Sequence, residues 1–134
     1  MLAFDVRQVL EGFAQDHVYL EPLVTDRLSV GIAVWKAGTA DHQRPHAEDE
    51  VYCVVSGRGR IEVGRERTAE GEAEGAGEGI EDRAVEPGSV VYVAAGVPHH
   101  FHSIEEDLRV VVLWVPPHRG QETQRPAPSE IPRP

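Results

Sequence analysis

The residues best suited to chemistry lie in two separate segments of the chain. The first segment contains His46 and Glu50, and the second contains His99. Imidazole nitrogen and carboxylate oxygen are ligands that suit a divalent transition metal. Two histidines and one carboxylate on a single ion would leave coordination positions open for a substrate, dioxygen or water. The two segments therefore predict a metal site, provided that the fold brings them together.

The first segment places polar residues at alternating positions. In an extended chain, side chains two or four positions apart share a face. Arg44, His46, Glu48 and Glu50 therefore point to one side if the segment is straight, and Tyr52 continues that face. We expect Glu48 either to orient a ligating imidazole or to belong to a solvated turn.

The second segment has histidines on both faces. His99, Phe101 and Ser103 share one face, whereas His100 and His102 point the opposite way. We therefore expect His99 to be the third ligand and the other two histidines to lie on the exterior. The ligands meet only if the two segments are neighbouring strands.

Short runs of β-branched and aromatic residues between glycines and prolines indicate an all-β fold. A helix is expected over residues 4–15, where apolar residues recur at helical spacing. Turns are expected at 56–59 and 94–98. The pattern favours a sandwich or a barrel and leaves both open. The expected strands cover residues 18–24, 28–35, 50–55, 60–64, 89–93, 99–103 and 108–115, and a further short strand ends at Val85.

Two segments lack the apolar residues that a packed element needs. Residues 67–79 are nearly all Glu, Gly and Ala, which predicts a flexible acidic insert within a hairpin, with an acidic docking surface as the alternative. Residues 117–134 are rich in proline and predict a disordered tail. The expected organisation is a helix over residues 1–16 and one β domain over residues 17–116.

Composition excludes several classes of protein. The 134 residues fit one domain, and Cys53 is the only cysteine, so no internal disulfide forms. The net charge of −10 and the single lysine, Lys36, leave no basic surface for nucleic acid. The start of the chain does not resemble a signal peptide, and no run of about 18 apolar residues occurs. We therefore expect a cytoplasmic protein that binds neither nucleic acid nor a membrane.

The two segments resemble the paired motifs of the cupin superfamily. The first motif reads G-x5-H-x-H-x3/4-E-x6-G and is matched by Gly38, His46, Glu50 and Gly57. The second reads G-x5-P-x-G-x2-H-x3-N and is matched by Gly88, Gly96 and His99. The resemblance implies a double-stranded β-helix, the jelly-roll barrel. It also implies that His46, Glu50 and His99 ligate a divalent transition metal, either Fe, Mn, Ni, Cu or Zn.

Three positions depart from the motifs. Ala94 replaces the proline and Ser103 replaces the asparagine, and both changes should be mild. Arg44 replaces the first histidine, and a guanidinium has no lone pair to donate to a metal. The site then has either three protein ligands or a substitute fourth ligand. The nearest substitutes are His42 and Gln43, which a bend in the chain could turn inward.

Several residues near the predicted site have two possible roles. Arg44 either clamps a carboxylate or phosphate with paired hydrogen bonds or lies on the surface. Tyr52 either supplies a hydroxyl proton donor or packs in the core, and Phe101 is assigned to substrate binding. Arg44 and Tyr52 are also the candidate catalytic residues. His17 and His118 belong to no constellation and are expected to be incidental.

Two functional hypotheses follow. The first is a metal-dependent enzyme of the oxygenase, isomerase or lyase type that acts on a small molecule. The second is a non-catalytic module that binds a small anion or sugar, with Arg44 as the anion clamp and the metal structural or absent. The resemblance and the expected edge strand over residues 18–24 also predict a homodimer.

Overall fold

The computed structural model describes residues 1–13, 18–64 and 80–118. The expected acidic insert over residues 67–79, His17 and the expected tail beyond His118 lie outside these residues. The described residues form one helix and six strands, which are α1 (Val6–Glu11), β1 (Tyr19–Val24), β2 (Ser29–Trp35), β3 (Asp49–Val63), β4 (Glu81–Val85), β5 (Val90–Val93) and β6 (His99–Val115).

The strands form one antiparallel sheet in the order β1-β2-β6-β3-β4, and β5 also pairs with β3. The two long strands dominate it. β6 pairs with β3 from Asp49↔Val115 to Val63↔His99, so the start of β6 lies beside the end of β3. β1 ends the order, which places the expected edge strand at an edge of the sheet.

All six strands contribute side chains to one interior, so the folded sheet is a β-barrel. This resolves the choice between sandwich and barrel and confirms the all-β, double-stranded β-helix expectation. The buried residues of this core include Tyr19, Ala33, Val54, Val85, Val93 and Phe101, one from each strand.

The expected turn at residues 56–59 is wrong, because β3 continues through it as a single strand. The register with β6 shifts three times between Val54 and Arg60. Gly57 adopts a φ of +96° there, in the left-handed region that glycine tolerates. The glycines that predicted a turn therefore bend a long strand instead, as bulges do in barrels.

The two strands expected over residues 99–103 and 108–115 are also one strand, β6. Ser103 lies within it at a φ of 49°. This position corresponds to the asparagine of the second motif, and asparagine tolerates that region better than most residues. The irregularity is thus accommodated inside the strand and does not end it.

Helix α1 is shorter than the expected range of 4–15. It begins after Asp5, whose carboxylate accepts two backbone hydrogen bonds of the first turn, and it ends at Gly12. Its buried residue Val9 packs with Leu20 and Ile32 on the outer side of the sheet. The helix therefore covers β1 and β2 from outside, away from the core of the barrel.

Among the described residues, no helix has the length and apolar character needed to cross a membrane.

Candidate metal centre

The start of β3 and the turn between β5 and β6 bring residues of both sequence segments to one place in the barrel. Glu50 is the second residue of β3 and pairs in register with Trp114 of β6. His99 begins β6, and His46 lies just before β3. The turn before β6 joins the two segments, because the backbone N–H of Gly96 donates to the carbonyl oxygen of His46 at 2.7 Å.

Three side chains converge there with metal-ligand chemistry. His99 Nε2 lies 2.9 Å from Glu50 Oε1, and His46 Nε2 lies 4.0 Å from the same oxygen. One ligand atom from each of the three residues lies within 4.8 Å of the others. The side chains of His99 and Glu50 are 1% exposed, and that of His46 is 10% exposed. The side chains of the three residues predicted as ligands therefore lie together in a small region that is almost fully shielded from solvent.

The Glu50 carboxylate is the best test of whether these residues fit a metal. Both of its oxygens are buried, and neither makes a hydrogen bond of acceptable geometry to the described residues. His99 Nε2 is close to Oε1, but it could donate to that oxygen only from a doubly protonated ring, because the proton of the neutral ring lies on Nδ1 beside the Val97 carbonyl. A buried carboxylate without hydrogen bonds is costly. A divalent cation would satisfy it, so the residues fit a metal.

His99 is oriented for ligation by its other ring nitrogen. Nδ1 lies 2.9 Å from the carbonyl oxygen of Val97, so an Nδ1–H donates to that carbonyl. In the neutral ring, Nε2 therefore carries the lone pair that a metal would take, as in metal sites whose histidine is fixed by a backbone acceptor. Burial disfavours the imidazolium, but Glu50 and the Val97 carbonyl outweigh it, so the pKa of His99 lies above its ordinary value.

Burial also shifts the pKa values of His46 and Tyr52. Desolvation lowers the pKa of His46, only partly opposed by the charge of Glu50, so its ring is neutral near pH 7. Desolvation and the nearby Glu50 charge raise the pKa of Tyr52 well above 10.0. Tyr52 therefore keeps its proton, and its hydroxyl lies 3.0 Å from His99 Nε2.

Gln43 places its amide oxygen beside the cluster. Its Oε1 lies 3.0 Å from His46 Nε2 and accepts from the Tyr52 hydroxyl at 3.2 Å. Its Nε2 donates to Asp41 Oδ2 at 2.6 Å, which turns the amide oxygen inward. Two ligands each about 2.1 Å from one ion lie roughly 3 Å apart, so the spacing between Gln43 and His46 suits neighbouring ligands. Sequence reasoning did not identify Asp41.

Arg44 and His42 are both exposed and stand away from the ligand cluster. Arg44 precedes β3, so strand alternation does not apply to it, and it does not line the neighbouring cavity. Arg44 therefore does not share a strand face with His46, and of its two expected roles its exposure favours the surface position. Of the two substitute ligands, Gln43 is near the cluster, whereas His42 lies at the rim of the cavity.

Tyr52 and Phe101 pack together beside the ligands. Their rings are 5.0 Å apart at 76°, and Phe101 also packs on Trp35 at 4.6 Å. Phe101 is fully buried and does not line the cavity, so it supports Tyr52 and Trp35 instead of presenting a surface to a ligand. This corrects its assignment to substrate binding.

A cavity of about 450 Å³ adjoins the cluster. Gln43, Tyr52 and Trp114 line it and also contact residues of the cluster. The aromatic residues Tyr19 and Trp35 also line the cavity. A volume of this size suits a small organic molecule.

His118 and Glu48 form a second buried group that sequence reasoning missed. His118 Nδ1 lies 2.6 Å from Glu48 Oε1, and both residues are buried. Ligand atoms of His46, Glu48 and His118 also lie within 4.8 Å of one another. His118 is thus not incidental, Glu48 is not in a solvated turn, and the segment expected to be a disordered tail from residue 117 begins with two buried residues. A histidine among prolines offers no periodicity that would have revealed this.

The remaining histidines of β6 lie on the outer side of the barrel, as expected. His100 Nδ1 lies 3.5 Å from Glu62, and His102 Nε2 lies 2.7 Å from Asp82, and all four side chains are partly exposed. The first pair joins the neighbouring strands β6 and β3, and the second reaches across β3 to β4.

Fold and site together define a small β-barrel with a possible His/Glu/His metal site in its interior. Comparison with protein families gives the same class. The family model of the cupin domain matches residues 31–116 of this chain. The chain belongs to the cupin family. An uncharacterized protein of Streptomyces coelicolor is 50% identical to it over 107 residues, which cover 80% of this chain and 88% of that protein.

Solved structures share the fold. TT1209 from Thermus thermophilus is 18% identical, with a TM-score of 0.64 over 87% of this chain and 99% of that one. The DMSP lyase DddQ from Ruegeria pomeroyi is 22% identical, with a TM-score of 0.54, and the match covers 75% of this chain and 43% of the lyase. Bacillus subtilis oxalate decarboxylase, which has Mn(II) centres, is 19% identical with a TM-score of 0.54 over 69% of this chain and 22% of that one.

Proposed function

We propose that this protein is a metal-dependent enzyme that acts on a small molecule bound in the cavity beside the ligand cluster. His46, Glu50 and His99 hold a divalent transition metal (Fe, Mn, Ni, Cu or Zn), and the amide oxygen of Gln43 is the fourth protein ligand. The reaction belongs to the oxygenase, isomerase or lyase type.

The observation that carries this proposal is the buried Glu50 carboxylate, whose oxygens lack suitable hydrogen bonds. Two imidazoles lie beside it, and the Nδ1–H of His99 donates to the Val97 carbonyl, so Nε2 is the nitrogen that could bind a metal. A cation explains why the fold buries this charge without donors, because the ion would replace them.

The bound metal would supply Lewis-acid or redox chemistry at an open coordination position. The chain's own residues would do the rest. Tyr52 keeps a proton on its hydroxyl at the cavity wall, where it is placed to hydrogen-bond to a bound molecule. Trp35, Trp114 and Tyr19 limit the water that reaches that molecule.

Similarity to the lyase and decarboxylase chains supports metal-dependent enzyme chemistry by analogy of fold only. It does not transfer their substrates. The alternative, a non-catalytic anion-binding or sugar-binding module, loses its specific support because the proposed clamp residue Arg44 is exposed and outside the cavity.

Metal analysis of protein purified without a histidine tag tests the proposal. We expect about one transition-metal ion per chain, lost in His46→Ala and retained in the matched control His100→Ala on the outer face. Sub-stoichiometric metal that His46→Ala leaves unchanged would reject the proposal.

Chelation separates the enzyme from the binding module. If the protein is a metal enzyme, removing the metal abolishes turnover in a screen of small organic acids and sugars, and adding it back restores turnover. Ligand binding that survives chelation unchanged, with no turnover of any bound compound, would favour the non-catalytic module.

A further inference from the structure

The imidazole of His46 stands at right angles to a stack of two other rings. Trp114 and His118 stack with centroids 3.9 Å apart and planes 12° apart. The ring of His46 meets Trp114 at 4.9 Å and 89°, and it meets His118 at 5.1 Å and 84°. The stack therefore forms a wall that restricts rotation of the His46 ring.

His118 is itself fixed by three independent contacts. Its backbone N–H donates to Ser29 Oγ at 3.0 Å, its Nδ1 lies 2.6 Å from Glu48 Oε1, and its ring stacks on Trp114. The residue is 1% exposed. These contacts hold the segment after β6 against Ser29 at the start of β2, and against Glu48 and Trp114 beside the metal site.

Glu48 links this segment directly to the metal ligand. It lies two residues after His46, is buried, and shares the compact cluster with His46 and His118. The hydrogen bond from His118 satisfies one of its oxygens. Because the contact between Glu48 and His118 is a formed hydrogen bond, the group is better suited to holding His46 in place than to binding a second ion.

We propose that His118 is a positioning residue of the metal centre, which holds the His46 ring with Nε2 toward Glu50 by stacking on Trp114 and binding Glu48. This role rests on the proposed function, since it concerns a metal ligand. It makes the segment that follows β6 part of the site, although that segment contributes no ligand. Because linkage is reciprocal, metal binding should also hold this segment in place.

Cobalt(II) titration of the metal-free protein tests the role, because affinity and the visible absorption bands both report on ligand geometry. Residues that orient metal ligands typically change affinity by about 10–100-fold when mutated. We expect His118→Ala to weaken Co²⁺ binding within that range and to shift the absorption bands. His118→Phe keeps a ring for the stack but cannot bind Glu48, so its loss should be smaller. If His118→Ala does not fold, the affinity of His118→Phe for Co²⁺ still tests the role.

Two controls separate positioning from general damage. His100→Ala removes an outer histidine and should bind Co²⁺ as the parent does. Glu48→Gln keeps an acceptor for His118, so its affinity for Co²⁺ should fall less than that of His118→Ala. Parent-like affinity and spectra in both His118 variants would overturn the inference. Two Co²⁺ ions per parent chain, with one lost in His118→Ala, would overturn it by making His118 a ligand. A parent that binds no Co²⁺ would instead reject the proposed function.

Discussion

Glu50 Oε1 and His99 Nε2 are 2.9 Å apart, yet the Glu50 carboxylate has no well-aligned hydrogen bond among the described residues. The two atoms come from β3 and β6 and meet in the interior of the barrel. Such a pair has the spacing of neighbouring ligands on one ion.

Replacing the carboxylate by an amide should abolish tight metal binding. Glu50→Gln keeps the shape of the side chain but removes its charge. Mutating a residue that only orients a ligand lowers metal affinity by about 10–100-fold. We expect Glu50→Gln to lower metal affinity by more than that. Isothermal titration with Mn²⁺ or Zn²⁺ measures it. Glu62→Gln, at the outer carboxylate beside His100, is the matched control and should leave affinity unchanged. Equal losses in both variants would contradict the assignment.

The stability of the metal-free chain should depend on pH through His99. Burial acts to lower its folded pKa, but Glu50 outweighs burial, so the folded pKa is raised. A raised pKa contributes stability that is complete below the unfolded value, about 6.5, and is lost as pH rises through the folded pKa. In EDTA, the stability difference between parent and Glu50→Gln should therefore shrink from pH 6 to pH 9. Urea unfolding at each pH measures it, and a difference that grows with pH would contradict this reasoning.

Metal affinity should follow the opposite trend. A ligating imidazole must give up its proton, so affinity should rise as pH increases through the pKa of His99. Competition with a colorimetric chelator between pH 6 and pH 9 measures this. Affinity that is flat over the whole range would show that protonation of His99 does not compete with the metal.

Gln43 and His42 can be distinguished as the substitute ligand by a matched pair of variants. Gln43 Oε1 lies 3.0 Å from His46 Nε2, whereas His42 is exposed. We expect Gln43→Ala to weaken Co²⁺ binding by about tenfold or more, and Asp41→Asn, which disturbs the orientation of Gln43, to have a smaller effect in the same direction. His42→Ala should bind as the parent does. The reverse order would make His42 the ligand.

The bend of β3 predicts a contrast between two glycines. Gly57 has a φ of +96°, and an added Cβ would collide with the backbone oxygen of Asp107. Gly38 has a φ of +77°, but nothing lies within 4 Å of its added Cβ. We expect Gly57→Ala to lower the free energy of unfolding by about 2 kcal/mol or more, and Gly38→Ala by only about 1 kcal/mol. Equal losses in urea unfolding would show that the backbone collision is relieved at little cost.

A homodimer remains a proposal, for which the edge position of β1 is the support. Strand β5 adds an exposed apolar residue, Val90, which is 67% exposed. We expect a dimer in light scattering at micromolar concentration, and weakening of that dimer by Val90→Glu. A parent that is monomeric under these conditions would contradict it.

The spacing of the two motifs predicted that His46, Glu50 and His99 come together, and a ligand atom of each lies within 4.8 Å of the others. Pairing of β3 with β6 does not explain this, because Glu50 and His99 lie at opposite ends of that ladder. The turn between β5 and β6 carries His99 to the site, since β5 pairs with the start of β3. Strand alternation misplaced Arg44, since the chain before β3 is not a strand. Gln43 faces inward there because Asp41 holds its amide.

Other features depended on contacts between residues distant in sequence. The glycines at 57 and 59 predict a turn locally, and only pairing with β6 keeps β3 extended through them. His118 lies in a proline-rich segment, and its burial depends on Ser29, Glu48 and Trp114, from three other parts of the chain. No local pattern contains that information.

Anomalous diffraction from a crystal soaked in Mn²⁺ or Zn²⁺ is the most direct measurement of the central proposal. We predict one strong peak about 2.0–2.3 Å from His46 Nε2, His99 Nε2 and an oxygen of Glu50. Full soaking with no peak at this place, or with a peak only at outer residues such as His102 and Asp82, would contradict it.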